Sequence, residues 1–171
     1  MKKIEDCIRN IPNFPIPGIQ FKDLTPLLGN PQAFEAVIDK ILELAKALEV
    51  EAIGAFDARG FWFAPCVAMK LGIGWFPIRK PGKLPAETVT ETYALEYGTS
   101  ELAVHKDAIL LGTRVLLIDD VLATGGTMRA GINLVEAIGG TVVGAITVIE
   151  LVSLNGRQKL TPYNVQSLIK Y

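Results

Sequence analysis

The sequence predicts an α/β domain built on a mainly parallel, twisted, doubly wound sheet flanked by helices, and three observations carry that prediction. Residues 52–56, 115–118 and 141–149 are short apolar runs rich in β-branched side chains, the pattern of strands buried on both faces. Between them lie stretches whose apolar residues recur every three or four positions, as on one face of a helix. The two patterns alternate along the chain, which favours parallel strands joined by crossover helices.

Taken in order, Ile4, Cys7, Ile8 and Ile11 share a helical face and predict a short N-terminal helix. PNFPIPGIQF follows, where three prolines and a glycine impose an extended, irregular arm. Asn30-Pro31 supplies an N-cap and a first-turn proline. Behind it Phe34, Val37, Ile38, Ile41, Leu42, Ala45 and Leu48 keep helical spacing. Residues 52–56 predict a strand, DARG the turn after it, and 60–71 a helix interrupted early by Pro65; residues 73–78 predict the next strand. Residues 79–98, RKPGKLPAETVTETYALEYG, carry charges and prolines with little core-facing periodicity. That length exceeds an ordinary connection and predicts a functional flap or a short hairpin. After the strand at 115–118 and a Gly-rich turn, Met128, Ile132, Val135 and Ile138 form a helical stripe that Gly139-Gly140 ends. Strands at 141–149 and 165–169 complete the reading, and no internal repeat is present.

Composition narrows the function classes. Half of the 171 residues are apolar, enough for one domain with a sizeable core. A net charge of −1 gives no reason to expect nucleic acid as a partner. The first residues hold two lysines but no apolar run of the signal-peptide type, and no stretch has the length of a membrane span. Cys7 and Cys66 have neither disulfide-framework nor metal-ligand spacing, so a reducing cytoplasm is the expected setting. His105, the single histidine, cannot build a His-based zinc site, which leaves oxygen ligands and bound phosphates for any metal.

VLLIDDVLATGGT, at 115–127, carries the chemistry. An apolar run meets two adjacent carboxylates, Asp119 and Asp120, which repel one another at that spacing. Ligands of open α/β sheets bind at the carboxyl ends of strands, where these acids stand. Ala123, Thr124, Gly125, Gly126 and Thr127 then lead into a helix N-terminus, so backbone amides and the helix dipole can cradle a phosphate. The chain contains no GxxxxGK[ST] and no GxGxxG after a strand, which excludes the common nucleotide loops. Carboxylates for vicinal hydroxyls beside amides for a phosphate suit a sugar phosphate.

This stretch resembles the 5-phosphoribosyl-1-pyrophosphate (PRPP) signature of the type I phosphoribosyltransferases. FPIPGIQFKDLTPLL, ARGF, RKPGKLP, LEYG and the final SLIKY resemble the adenine-specific branch of that family, so the likeness covers nearly the whole chain. It implies one domain over 1–171, with an N-terminal purine-side arm at 11–28, a catalytic flap at 79–98, and a small hood formed by the arm and the C-terminal segment. It also implies purine salvage: adenine and PRPP give AMP and pyrophosphate through an oxocarbenium-like transition state, with Mg²⁺ carried on the pyrophosphate. By motif position, Asp119 and Asp120 would hold the ribose, and residues Ala123, Thr124, Gly125, Gly126 and Thr127 the 5′-phosphate. Arg59, Arg79, Lys80 and Lys83 would contact pyrophosphate, with Arg59 also counted as catalytic. Arg79 and Lys80 would reach a neighbouring subunit's site, which implies a homodimer.

Glu96 would handle the purine N7/N9 proton, and Tyr97 would order the closed flap. Phe21 and Leu151 would cover the two faces of adenine, while Gln20 and Lys22 offer main-chain groups to its edge. Two residues depart from the family pattern. Asp57 would repel pyrophosphate unless it points elsewhere, and Gln20 could alter base selectivity if its side chain turned inward. Two alternatives stand beside this reading: a phosphoribosyltransferase for another base, and a PRPP-sensing regulator without catalysis. The proline arm, GKLP and LEYG weigh against the first; Glu96 and the absence of a DNA-binding segment weigh against the second.

Overall fold

The structure, a computed structural model, describes residues 4–94 and 98–171. The chain divides into two compact units, Met1–Lys40 and Ile41–Tyr171.

In the first unit a 3-10 turn at Ile4–Cys7 leads into β1 (Arg9–Pro12), which pairs antiparallel with β2 (Gln20–Asp23). The predicted N-terminal helix therefore stops at Cys7 and never reaches Ile11. A stripe of four apolar positions is too short to hold a helix by itself. Arg9 instead lies opposite Asp23 in the hairpin register, its Nη2 2.6 Å from the carboxylate. The proline arm is correspondingly less irregular than its composition suggests, because its last residues form β2. Phe14 and Phe21 meet edge to face, 5.1 Å between centroids. Asp23 also accepts the Thr25 amide and hydroxyl, both at 2.9 Å, and so starts α1 (Thr25–Leu28). α2 (Pro31–Lys46) begins as predicted: Asn30 Oδ1 accepts the Ala33 amide at 3.1 Å, satisfying an otherwise orphaned N–H.

The second unit contains β3 (Ala52–Phe56), α3 (Ala64–Leu71), β4 (Gly74–Ile78), β5 (Thr88–Ala94), β6 (Thr99–His105), β7 (Arg114–Leu122), α4 (Gly126–Ala137), β8 (Thr141–Glu150) and β9 (Val165–Lys170). Five strands form one parallel sheet in the order β4-β3-β7-β8-β9. The predicted fold class is the observed one. From β3 the chain winds outward to β4, and from β7 it winds the other way to β8 and β9. The reversal between β3 and β7 is the point at which open α/β sheets leave a crevice for ligands. α4 lies close over the sheet because Gly131 is a glycine: a Cβ there would stand 2.3 Å from the Phe56 ring. Val115, Leu117, Ile132 and Val135 are buried together in this layer.

Three boundaries differ from the sequence expectation. α3 starts at Ala64, with Pro65 in its first turn, and Arg59–Trp62 form a separate 3-10 turn. β7 runs past 118 to Leu122, because β8 continues to pair with it after β3 has stopped at Ala55↔Ile118. Within the predicted flap, residues 88–94 form β5, which pairs antiparallel with β6 as far as Thr88↔His105, beyond the predicted boundary at 98. Leu102 and Val104 of β6 are buried in the α4 layer, and Asn133 of α4 donates to Glu91 of β5 at 2.7 Å. Among the described residues no helix is long and apolar enough to cross a membrane.

Candidate active site

Three chain segments converge at the crevice between β3 and β7. The first is the turn after β3. Gly60 packs so tightly on the end of β7 that a Cβ would lie 2.6 Å from the Ile118 carbonyl oxygen. This close approach explains why a glycine follows Arg59, and it delivers the arginine to the carboxylates. Arg59 Nε stands 2.9 Å from Asp120 Oδ2.

The second segment is the end of β7. Successive strand side chains point to opposite faces, and the two acids separate accordingly. Asp119 lines a cavity of about 60 Å³ together with Val121, Leu122, Ala123, Thr124, Gly125, Thr127 and Met128. Asp120 is 3% exposed and faces Arg59. Its Oδ2 has the arginine charge beside it and accepts no hydrogen bond. The Asp120 amide donates to Asp119 Oδ1 at 2.9 Å. Burial pushes the Asp119 carboxyl well above its usual range, and the Asp120 charge pushes it the same way. Burial also raises Asp120, with Arg59 pulling in the opposite direction. Such a pair is unfavourable to keep doubly ionised without a ligand that supplies donors.

The third segment is the loop from Ala123 into α4. Gly125 has φ +80°, in the left-handed region, and Gly126 opens the helix. All five predicted phosphate-loop residues are contiguous here, and four of them line the cavity, Gly126 being the fifth. Tyr93 of β5 covers the loop: its ring is 3.2 Å from where a Gly126 Cβ would be, and its hydroxyl accepts from Thr127 Oγ1 at 3.3 Å.

Arg79 Nε is 2.8 Å from Asp57 Oδ2 and its Nη1 donates to the Lys83 carbonyl at 2.9 Å. Asp57 thus points at a guanidinium of its own chain, which accounts for a carboxylate at that position. Lys80 borders a shallow groove with Pro81, Thr99, Ser100 and Glu101, and Lys83 is exposed. In the first unit Phe21 and Lys22 are half-buried on β2. The Gln20 side chain is exposed and accepts from Asn10 at 2.8 Å, across the hairpin. Leu151, half-buried, directly follows β8. Glu96 and Tyr97 lie outside the described residues. Sequence reasoning passed over Gly156 and Arg157, which belong to none of the quoted motifs, and gave no role to Tyr93 within the quoted 79–98 segment.

A parallel sheet with paired acids at the strand end and a glycine loop at the helix start defines a phosphoribosyl-binding domain, and residues 26–170 match the phosphoribosyl transferase domain family. The adenine phosphoribosyltransferase of Chloroflexus aurantiacus is 54% identical over 168 residues, covering 98% of this chain and 97% of that protein. The crystal structure of adenine phosphoribosyltransferase from Thermoanaerobacter pseudethanolicus superimposes with a TM-score of 0.96 at 49% identity, covering 98% of each chain. The Saccharomyces cerevisiae adenine phosphoribosyltransferase, crystallised with an imino-altritol bisphosphate and adenine, gives 0.92 at 38% identity and 96% of each chain. This chain belongs to the adenine phosphoribosyltransferase family.

Proposed function

We propose that this protein is an enzyme of purine salvage that transfers the 5-phosphoribosyl group of PRPP to adenine, giving AMP and pyrophosphate. The observation that carries the reading is the joined site at the end of β7. A carboxylate-bearing strand end and a cavity lined by the glycine loop adjoin, with Arg59 against Asp120. End-to-end likeness to adenine phosphoribosyltransferases supports the choice of base.

In this reading the amides and hydroxyls of Ala123 to Thr127 hold the 5′-phosphate, and Asp119 with Asp120 accepts hydrogen bonds from the ribose hydroxyls. Those donors relieve the repulsion between the acids, so the pair becomes favourable when sugar is bound. Arg59, Arg79, Lys80 and Lys83 serve the pyrophosphate, whose negative charge grows as the C–O bond breaks and a purine nitrogen attacks the ribosyl carbon. Phe21 and Leu151 serve the purine faces, with the main-chain groups of Gln20 and Lys22 at its edge. Glu96 takes the purine proton, a role typically worth about 10²–10⁴-fold, and Tyr97 assists it. Arg79 and Lys80 act toward a neighbouring copy in a homodimer. The cytoplasm is the compartment, and neither nucleic acid nor membrane is a partner.

Magnesium would be carried by the phosphates of PRPP and pyrophosphate, whose hard oxygens are the type that holds this ion with few protein ligands. Asp120 Oδ2 faces Arg59 Nε at 2.9 Å, so that oxygen is already held by a cation of the chain itself. When bound, the ion neutralises charge on the departing pyrophosphate.

Offering Mg-PRPP with adenine, hypoxanthine, guanine or orotate separately tests the reading; AMP from adenine alone is expected. PRPP binding without product from any base would point to a regulator, and product from another base to a different transferase. Glu96→Gln should lower kcat far more than it weakens PRPP binding; an unchanged kcat would remove Glu96 from the mechanism.

A further inference from the structure

The outer side of the phosphate loop is as constrained as its inner side. Gly156 presses on it: a Cβ there would fall 2.1 Å from the Ala123 carbonyl oxygen, 2.7 Å from the Gly125 nitrogen and 2.9 Å from the Thr124 carbonyl carbon. Reciprocally, a Cβ on Gly125 would lie 2.3 Å from the Gly156 carbonyl oxygen. Two backbones far apart in sequence thus touch where neither tolerates a side chain. Gly156 is buried, following Asn155 with φ +52°.

Two arginines hold Gly156 in place. Arg157, the next residue, grips buried Glu150 at the end of β8 with a two-pronged contact, Nε to Oε1 at 2.9 Å and Nη2 to Oε2 at 2.5 Å. Its Nη1 donates to the Val165 carbonyl, and Nη2 reaches Ser167 Oγ at 3.4 Å, so the same guanidinium spans β8 and β9. Those hydrogen bonds hold Glu150 below and Arg157 above their ordinary ranges, as expected for a pair that stays ionised. From the other side Arg129 of α4 donates to the carbonyls of Lys159 and Thr161, at 3.0 and 3.4 Å. The segment 156–161 is therefore bolted to the sheet by one arginine and to α4 by the other.

We propose that Arg157 is a positioning residue for the 5′-phosphate: by fixing Gly156 on the sheet, it holds the backbone of Ala123, Thr124 and Gly125 in the curvature that aims their amides into the cavity. The proposal rests on the phosphoribosyl reading of that cavity. Arg157 is not among the residues that line the cavity. Its contribution is preorganisation, since a loop already bent for phosphate spends no binding energy on ordering. A lysine could keep the charge but not the planar fork that spans Glu150, Val165 and Ser167.

The test is steady-state kinetics on the full chain with Arg157→Ala, Arg157→Lys and Glu150→Gln, alongside melting temperatures. Arg157→Ala should raise the KM for PRPP roughly tenfold, while kcat at saturating PRPP stays within about twofold. Inhibition by ribose 5-phosphate, which carries the 5′-phosphate, should weaken by the same factor, and inhibition by pyrophosphate, which does not, should be unchanged. Arg157→Lys and Glu150→Gln should fall between wild type and Arg157→Ala. An unchanged KM for PRPP in a folded Arg157→Ala protein overturns the proposal, as does equal weakening of both inhibitors, which would mean general distortion. If the alanine variant does not fold, the lysine variant decides by the same two inhibitors. A wild-type chain that makes no AMP would instead overturn the functional reading.

Discussion

At the scale of single residues, Asp119 and Asp120 show how a motif can be legible while its geometry is not. Their adjacency reads as a repulsion in need of a ligand. Strand alternation, however, gives them different surroundings, Asp119 on the cavity and Asp120 on Arg59. That division depends on β7 continuing past 118, which no local pattern signals. Asp119 is where stability and function should conflict. Burial and the Asp120 charge both favour its neutral form, and asparagine keeps the oxygen that accepts the Asp120 amide while losing the charge. Asp119→Asn should therefore raise the melting temperature of the ligand-free protein by about 2–4 °C, as roughly 1 kcal/mol does at this chain length, and weaken PRPP binding at least tenfold. Calorimetry with and without PRPP measures both, and a variant that melts lower than wild type would show that the paired charges are not a burden.

At the scale of elements, the strands with continuous apolar runs and the helix capped by Asn30 were readable because their signals are local. The elements that were not readable are held by distant partners. β6 has polar residues at Thr99, Ser100 and Glu101 and becomes a strand by pairing with β5 and burying Leu102 and Val104 against α4. β1 forms because β2 offers its edge and Asp23 offers Arg9 a partner. The seating of the β5–β6 hairpin on α4 makes a specific prediction. Asn133→Ala removes the donor to Glu91, a bond to a charged acceptor worth about 1.5–3 kcal/mol; because Glu91 is half-exposed and water replaces the donor, about 1 kcal/mol is the expected loss. That corresponds to roughly fivefold faster amide exchange in β5, with β3 and β8 unchanged. Uniform acceleration across the sheet would mean that the hairpin does not open separately.

At the scale of the whole molecule, fold class followed from alternation of strand and helix patterns, and the site from a loop whose parts are adjacent in sequence. What stayed hidden was the support behind that loop, because Gly156, Arg157 and Glu150 meet it only through tertiary contact. Asp119 in the site and Glu150 in its support shape the response of the ligand-free protein to pH in opposite senses. Asp119 has a folded-state pKa raised from its ordinary value of 3.8, so the stability it contributes is present at low pH and is lost as pH rises through the folded value. Glu150 has a folded-state pKa lowered from 4.5 by the Arg157 hydrogen bonds; its stability is present above 4.5 and is lost as pH falls through the folded value. Acidification through the raised folded-state value of Asp119 should therefore raise the melting temperature, and acidification below 4.5 should lower it as paired carboxylates such as Glu150 protonate. Asp119→Asn should flatten the rise without changing the acid fall, whereas Glu150→Gln should start from lower stability and make the acid fall shallower. Scanning calorimetry from about pH 7.5 to 3.5 on the three proteins separates the two arms. A wild-type profile that declines steadily from neutrality, with Asp119→Asn parallel to it, would show that the two acids at the end of β7 are not held against their preferred protonation state.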